Sequence, residues 1–194
     1  MASAYAAFAN RGMYCTPIAI EAVTQRVGET KKSLEVPKST CSRAMSEGTA
    51  DTINALLKGV VDSGTGQQAG LGDRDNAGKT GTTDERRNAW FVGYTPNLSG
   101  AVWVGSATQQ VKMRNITIGG VYHELVYGSD TPGPIWKDAM TGALAGKGPS
   151  PSSRSTSPTR TRSARTATSR VAALATTTAT TTATATRATA SSAA

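Results

Sequence analysis

The chain has 194 residues with 21 Lys or Arg against 13 Asp or Glu, a formal net charge of +8. All the acidic residues precede Lys147, so residues 1–146 carry fourteen cations against thirteen anions, while residues 147–194 hold seven cations and no anion. A near-neutral body gives no reason to expect nucleic acid as its partner, and no stretch reaches the ~18–20 apolar residues of a membrane span.

Met1–Asn10 is rich in Ala and sets Tyr5 and Phe8 three residues apart, the pattern of a helix end, with Gly12 as its stop. Tyr14–Val36 alternates as a hairpin is expected to. Ile18, Ile20 and Val23 would lie on one arm, Leu34 and Val36 on the other, and the turn at Val27-Gly28-Glu29. Cys15 and Cys41 stand 13 residues either side of Gly28, so such a hairpin would place them opposite each other. A disulfide between them usually has Cα atoms about 4.4–6.8 Å apart, which facing positions can provide, and requires an oxidising compartment. Two unpaired thiols are the alternative, since Pro17 and Pro37 can spoil the register.

Ser46–Asp62 carries Ala50, Ile53, Leu56, Leu57, Val60 and Val61 at helical spacing. Ser46 can cap its start, and Gly64 and Gly66 can end it. Three strands are expected at Ala77–Thr83, Ala89–Tyr94 and Gly100–Gly105, with Thr95-Pro96-Asn97 as a turn. A last helix is expected at Ile135–Leu144, after the break at Pro132-Gly133-Pro134. Residues 1–146 therefore read as one α+β domain, an antiparallel sheet with flanking helices. Residues 147–194 are almost wholly Ser, Thr, Ala, Pro and Arg, without an aromatic side chain. Such a tail buries too little apolar surface to offset the entropy of ordering it, so disorder is expected.

The stretch that bears chemistry is Ala77-Gly78-Lys79-Thr80-Gly81-Thr82-Thr83. Lys-Thr-Gly is one of three motifs of the serine enzymes that bind penicillin, although three common residues also occur together by chance. Its surroundings are more specific. Residues 77–96, AGKTGTTDERRNAWFVGYTP, resemble the corresponding segment of class A (bifunctional) penicillin-binding proteins over its whole length. So do Met1–Ile20, Asn54–Gly66 (NALLKGVVDSGTG) and Gly128–Met140 with its Pro134-Ile135-Trp136-Lys137, in matching order and spacing. The resemblance covers residues 1–144. Lys-Thr-Gly occurs in serine β-lactamases too, but the Trp-Phe-Val-Gly-Tyr strand and the closing Pro-Ile-Trp segment are those of the transpeptidases.

The resemblance implies a partial penicillin-binding, serine β-lactamase-like transpeptidase fold. It implies a site that binds a β-lactam or the D-Ala-D-Ala end of a peptidoglycan stem peptide for cell-wall cross-linking. Lys79, Thr80, Gly81 and Thr82 would be the substrate-binding residues. Lys79 supplies positive potential and the two threonines hydroxyl donors for the substrate carboxylate. Gly81 allows close approach of a backbone, and the Thr82 N–H completes an oxyanion hole. The nucleophile is another matter. No serine in the 194 residues is followed three residues later by Lys, and no Ser-x-Asn occurs; Thr52-Ile53-Asn54 lies within the expected helix. The catalytic serine is absent from this sequence, and the chain is expected to be a fragment, inactive and poorly stable by itself. No cofactor and no metal is implied. The parent protein would work on the extracytoplasmic face of the membrane or in the cell wall, although Met1-Ala2-Ser3-Ala4-Tyr5 lacks the features of a signal peptide.

A rival reading is a non-catalytic module that binds the cell wall or an anionic polymer through its cationic tail. His123, the sole histidine, has no Cys or His at ligand spacing and is expected on a surface strand. Asp84-Glu85-Arg86-Arg87 reads as a solvated connection or the rim of a cleft. Trp90, Trp103 and Trp136 read as packing residues.

Overall fold

The computed structural model describes residues 1–148 and a two-residue strand at Ala172–Ala173. The expectations of a disordered extension over 147–194, and of its contact with an anionic polymer, otherwise fall outside the described residues. Helix α1 (Ala2–Ala9) leads into β1 (Met13–Cys15), a hairpin of β2 (Val23–Val27) and β3 (Thr30–Leu34), and β4 (Cys41–Arg43). Helix α2 (Glu47–Asp62) follows, then the meander β5 (Ala77–Thr82), β6 (Asn88–Tyr94) and β7 (Leu98–Gly105). A second hairpin, β8 (Arg114–Ile118) and β9 (Val121–Leu125), precedes α3 (Pro132–Ala143). Strand β10 (Ala172–Ala173) adds in parallel to β7, so the sheet order is β10-β7-β6-β5. The architecture is α+β, with an antiparallel meander covered by helices, as expected.

Period-2 alternation divides the meander into two faces. One presents Phe91, Leu98 and Val102 to α3. At its centre the cross-strand pair Gly93 and Gly100 leaves a bay for Trp136. A Cβ on Gly93 would lie 2.8 Å from the indole ring, and one on Gly100 3.1 Å from its Nε1. Trp136 is 1% exposed, meets Phe91 edge-on at 5.2 Å and donates from Nε1 to Gly100 O at 3.1 Å. The hydrogen bond matters because a buried indole N–H without a partner is costly. A second cluster on this face joins Ala89, Met113 and Val126 with Val104, Ile116 and Ile118, so the β8–β9 hairpin covers the far end. On the opposite face Tyr94 packs with Tyr5 and Phe8 of α1. Its hydroxyl donates to Asn54 Oδ1 of α2 at 2.6 Å, while the Asn54 amide donates to Phe8 O. Burial pushes the Tyr94 hydroxyl well above the ordinary tyrosine pKa, with a smaller contribution from Tyr5.

Several elements depart from the sequence reading. Helix α2 has the expected extent, and Ser46 accepts from the Thr49 N–H at 3.1 Å as its cap. Its apolar stripe is narrower than the spacing suggested, since Leu56 is exposed. The hairpin expected over Tyr14–Val36 is two separate ladders. β2 and β3 turn at Gly28 (φ +63°), and β1 pairs with β4. Ile18 and Ile20 lie outside both ladders and are exposed, in the stretch opened by Pro17, which has no N–H to give a ladder. Cys15 stands directly opposite Cys41 with Cα atoms 4.0 Å apart, and the two form a disulfide. Helix α3 begins at Pro132, three residues before the expected start, because proline is well suited to a first helical turn that needs no N–H partner. The β8–β9 hairpin, turning at Gly119 and Gly120 with φ of +58° and +84°, was not anticipated from the sequence.

The disulfide closes a span of 26 residues that includes the exposed β2–β3 arm. In the chain-entropy account a loop of this size is worth about 3–4 kcal/mol. Cys41→Ser is therefore expected to lower stability by up to that amount in denaturant unfolding, and the loss should vanish when both proteins are compared under reducing conditions. A pH effect comes from Arg11, which donates to both Asp51 carboxylate oxygens at 3.1 and 2.7 Å and pairs with Glu47 at 3.0 Å. The hydrogen bond from Arg11 holds the Asp51 carboxyl below its ordinary pKa. A depressed carboxyl stabilises the fold above its unfolded pKa of about 3.9 and ceases to do so as pH falls through the folded value. Asp51→Asn is expected to cost within the ~0.2–1 kcal/mol of exposed pairs at pH 7, with the difference from the parent closing below pH 4 when unfolding curves are compared across pH.

Candidate active site

Strand β5 pairs with β6 along one side, and among the described residues its other side has no strand partner. The Thr83 N–H donates to Asn88 O at 3.0 Å. In an antiparallel ladder successive N–H groups alternate in direction, so those of Gly78, Thr80 and Thr82 point to the unpaired edge. That edge is where an extended peptide could add as a further strand.

The four residues singled out from the sequence fall along this edge in three directions. Lys79 is exposed, on the same face as Val92 and Trp90, and its ammonium donates to Thr80 O at 2.9 Å. No carboxylate among the described residues lies within ion-pair distance of it, so its charge is not neutralised locally. Thr80 and Thr82 lie on the opposite face. The Thr80 hydroxyl is 2.9 Å from that of Thr65, and Thr82 Oγ1 accepts from the Gly128 N–H at 3.1 Å. Gly81 lies between them, opposite Trp90.

Thr65 and Gly128 are the residues that the sequence reading did not assign. Their placement has local causes. After α2 the chain folds tightly back over the helix end, with the Gly66 N–H bonded to Val60 O at 2.8 Å. A Cβ at Gly64 would lie 2.9 Å from Val60 backbone, and one at Gly66 3.3 Å from the Phe91 ring. Two glycines thus let the turn lie against the core beneath β5, which carries Thr65 over Thr80. Gly128 sits directly on the β5–β6 ladder. A Cβ there would be 2.3 Å from Trp90 O and 2.9 Å from Gly81 N, backbone atoms with little freedom to yield. The Gly128 carbonyl accepts from the Gly133 N–H at 3.1 Å, which ties this contact to the start of α3. The signal was present in the sequence: both residues lie in segments that carry the family resemblance.

The remaining candidates are placed as follows. Asp84–Arg86 is a 3-10 turn in which Glu85 and Arg86 both have φ of +56°. Arg86 lies 4.8 Å above the Tyr127 ring and donates to its hydroxyl at 2.8 Å, and Glu85 pairs with Lys112 and Arg87. The hydrogen bond from Lys112 and then that from Arg87 hold the Glu85 carboxyl below its ordinary pKa. The run is therefore a corner at the end of β5, paired within itself through Glu85 and Arg87 and to the following segments through Lys112 and Tyr127. His123 is on β9 opposite Ile116. Trp90 and Trp103 are half-buried neighbours at 6.3 Å, and the Trp103 N–H donates to Asn88 Oδ1. No group of three or more His, Cys, Asp or Glu residues comes together as a metal site among the described residues. Two surface concavities, about 500 and 370 Å3, are lined by the 58–76 region and by the α1–β4 junction respectively, and neither includes Lys79–Thr82. The motif occupies an open edge, which the strand geometry identifies and enclosed volume does not. No helix among the described residues is long and apolar enough to cross a membrane.

Residues 1–140 match the transpeptidase family described as the penicillin binding protein transpeptidase domain. Penicillin-binding protein 1A of Mycobacterium tuberculosis is 36% identical over 151 residues, 75% of this chain and 18% of that protein. Penicillin-binding protein 1A of Clostridium botulinum is 37% identical over 141 residues, 72% of this chain and 15% of that protein. Among solved structures, the PonA1 protein from M. tuberculosis in complex with penicillin V is similar with a TM-score of 0.59 at 32% identity, covering 77% of this chain and 39% of that one. The D,D-transpeptidase domain of a peptidoglycan glycosyltransferase from Eggerthella lenta gives 0.51 at 25% identity, covering 74% and 30%. The chain spans less than a fifth of the length of these curated relatives. A family match that takes in the whole meander, its Lys-Thr-Gly edge and nearly all of α3 places this chain in the penicillin-binding protein transpeptidase domain family.

Proposed function

We propose that this chain forms the carboxylate-recognising side of a D-Ala-D-Ala transpeptidase site. The observation that carries the reading is the conjunction at the β5 edge. Along one strand edge lie an exposed Lys79 without an acidic partner, its ammonium on the Thr80 carbonyl, the hydroxyls of Thr80 and Thr82 on the other face, and the outward N–H of Thr82. Lys79 draws the terminal carboxylate of a stem peptide, or its mimic on a β-lactam. The hydroxyls of Thr80 and Thr82 donate to it, since a charged acceptor makes these the stronger hydrogen bonds. The Thr82 N–H points to where a carbonyl oxygen becomes an oxyanion during acyl transfer. In the complete reaction a serine attacks the penultimate D-Ala carbonyl, D-Ala leaves, and an amine of a neighbouring stem takes the acyl group. This sequence supplies the recognition and oxyanion donors; it contains no Ser-x-x-Lys from which the attack would come. No cofactor or metal enters these steps.

The reading places the protein in peptidoglycan synthesis at the extracytoplasmic face, where the disulfide between Cys15 and Cys41 is also chemically at home. The rival reading, a wall-binding module acting through its tail, rests on residues beyond those that carry the family match.

Two measurements test the proposal. N-acetyl-D-Ala-D-Ala titrated into the isotopically labelled chain is expected to shift the backbone amides of Lys79–Thr82, and its C-terminal amide to do so more weakly. Lys79→Ala should weaken binding of the acid by about tenfold; equal binding of acid and amide would overturn the proposal. Fluorescent penicillin is expected to leave no covalent band on a denaturing gel of the 194-residue chain, and a labelled band would mean that a serine outside a Ser-x-x-Lys motif is competent.

A further inference from the structure

The two hydroxyls on β5 are not equivalent in how they are held. Thr82 Oγ1 accepts from a backbone N–H, that of Gly128, which is itself pinned on the Gly81–Trp90 ladder. A hydroxyl has one proton and two acceptor positions. With one acceptor position filled by the scaffold, the Thr82 proton is left for a ligand. Thr80 has no such backbone donor. Its recorded side-chain partner is another rotor, the Thr65 hydroxyl at 2.9 Å, and either can be the donor. If Thr80 gives its proton to Thr65, it presents only lone pairs to an incoming carboxylate and repels it. If Thr65 is the donor, Thr80 keeps its proton for the ligand.

We propose that Thr65 is a positioning residue for Thr80: its hydroxyl donates to Thr80 Oγ1 when an anion binds, so that Thr80 in turn donates to the carboxylate. The proposal rests on the carboxylate-binding reading of the β5 edge and extends it to a residue on a different element. The Thr65 hydroxyl meets that of Thr80, through which it acts on the motif strand. Its backbone is held for this task. Gly64 and Gly66 flank it where any Cβ would press on Val60 or on Phe91, the residue paired with Thr80 across the ladder. The turn therefore cannot drift away from the strand without uncovering the core. Since the side chain of Thr65 is exposed and the pair is a simple hydroxyl contact, little fold stability depends on it.

The test is a double-mutant cycle on the full chain, read as the preference for N-acetyl-D-Ala-D-Ala over its C-terminal amide. Thr65→Val is expected to reduce that preference about threefold to tenfold, and Thr65→Ser to retain it. In a Thr80→Val background Thr65→Val should have no further effect, because residues that act as a unit are not additive. An unchanged preference in Thr65→Val, or the same loss in both backgrounds, would overturn the positioning role. Unfolding midpoints accompany each variant, and Thr65→Ala serves in place of Thr65→Val should the latter shift its midpoint. A parent chain that shows no preference for the acid gives a different result, which removes the binding reading and this proposal together.

Discussion

The seating of the Trp136 indole in the Gly93–Gly100 bay determines the geometry of the rest of the domain. Two glycines paired across adjacent strands remove the side chains that would otherwise fill the space taken by the indole. The indole enters that space, and its N–H is satisfied by the Gly100 carbonyl. Burial of a side chain this large contributes about 1.5–3 kcal/mol or more, and it fixes the position of α3. From α3 the constraint passes backward along the chain. The Gly133 N–H holds the Gly128 carbonyl, Gly128 rests on the Gly81–Trp90 ladder, and its own N–H holds the Thr82 hydroxyl. The hydroxyls on an exposed edge strand are thus oriented by packing on the same face of the sheet, over its central strands.

The charged groups contribute in a different way. Arg11 with Glu47 and Asp51, Lys58 with Asp62, and Glu85 with Lys112 are all exposed pairs. Such pairs add little stability and are screened by salt. Lys79 differs from these pairs in that no carboxylate among the described residues neutralises it. A cation left unpaired on an open strand edge has more to offer a ligand than the fold.

Much of this was legible in the sequence. The α2 span and its Ser46 cap, the three strands of the meander and the facing cysteines follow from periodicity, capping chemistry and spacing. The Lys-Thr-Gly edge was legible because its flanking strand and closing helix carry a resemblance that the tripeptide alone lacks. What was missed has physical reasons. The β8–β9 hairpin has polar residues such as Arg114, Asn115, Thr117, His123 and Glu124 along short strands, which blurs alternation; only Gly119-Gly120 marked it. The start of α3 was placed too late because prolines that open a helix look locally like those that break one. Leu56 satisfied the helical period yet faces solvent, since no element among the described residues covers that side of α2. Thr65 and Gly128 could not be assigned a role without coordinates, since their partners, Thr80 and Thr82, lie 15 and 46 residues away.

The docking of both α1 and α3 on one meander has a consequence for biosynthesis. Tyr5 and Phe8 are synthesised before Tyr94 and meet it only after the middle strand is made. The Gly93–Gly100 bay stays unfilled until Trp136 has cleared the exit tunnel. The α1 face of the sheet can therefore close once β6 is made, whereas the α3 face waits for Trp136, and in that interval the Phe91 ring lacks its edge-on partner. A protein built this way depends on whatever keeps such chains apart until α3 arrives.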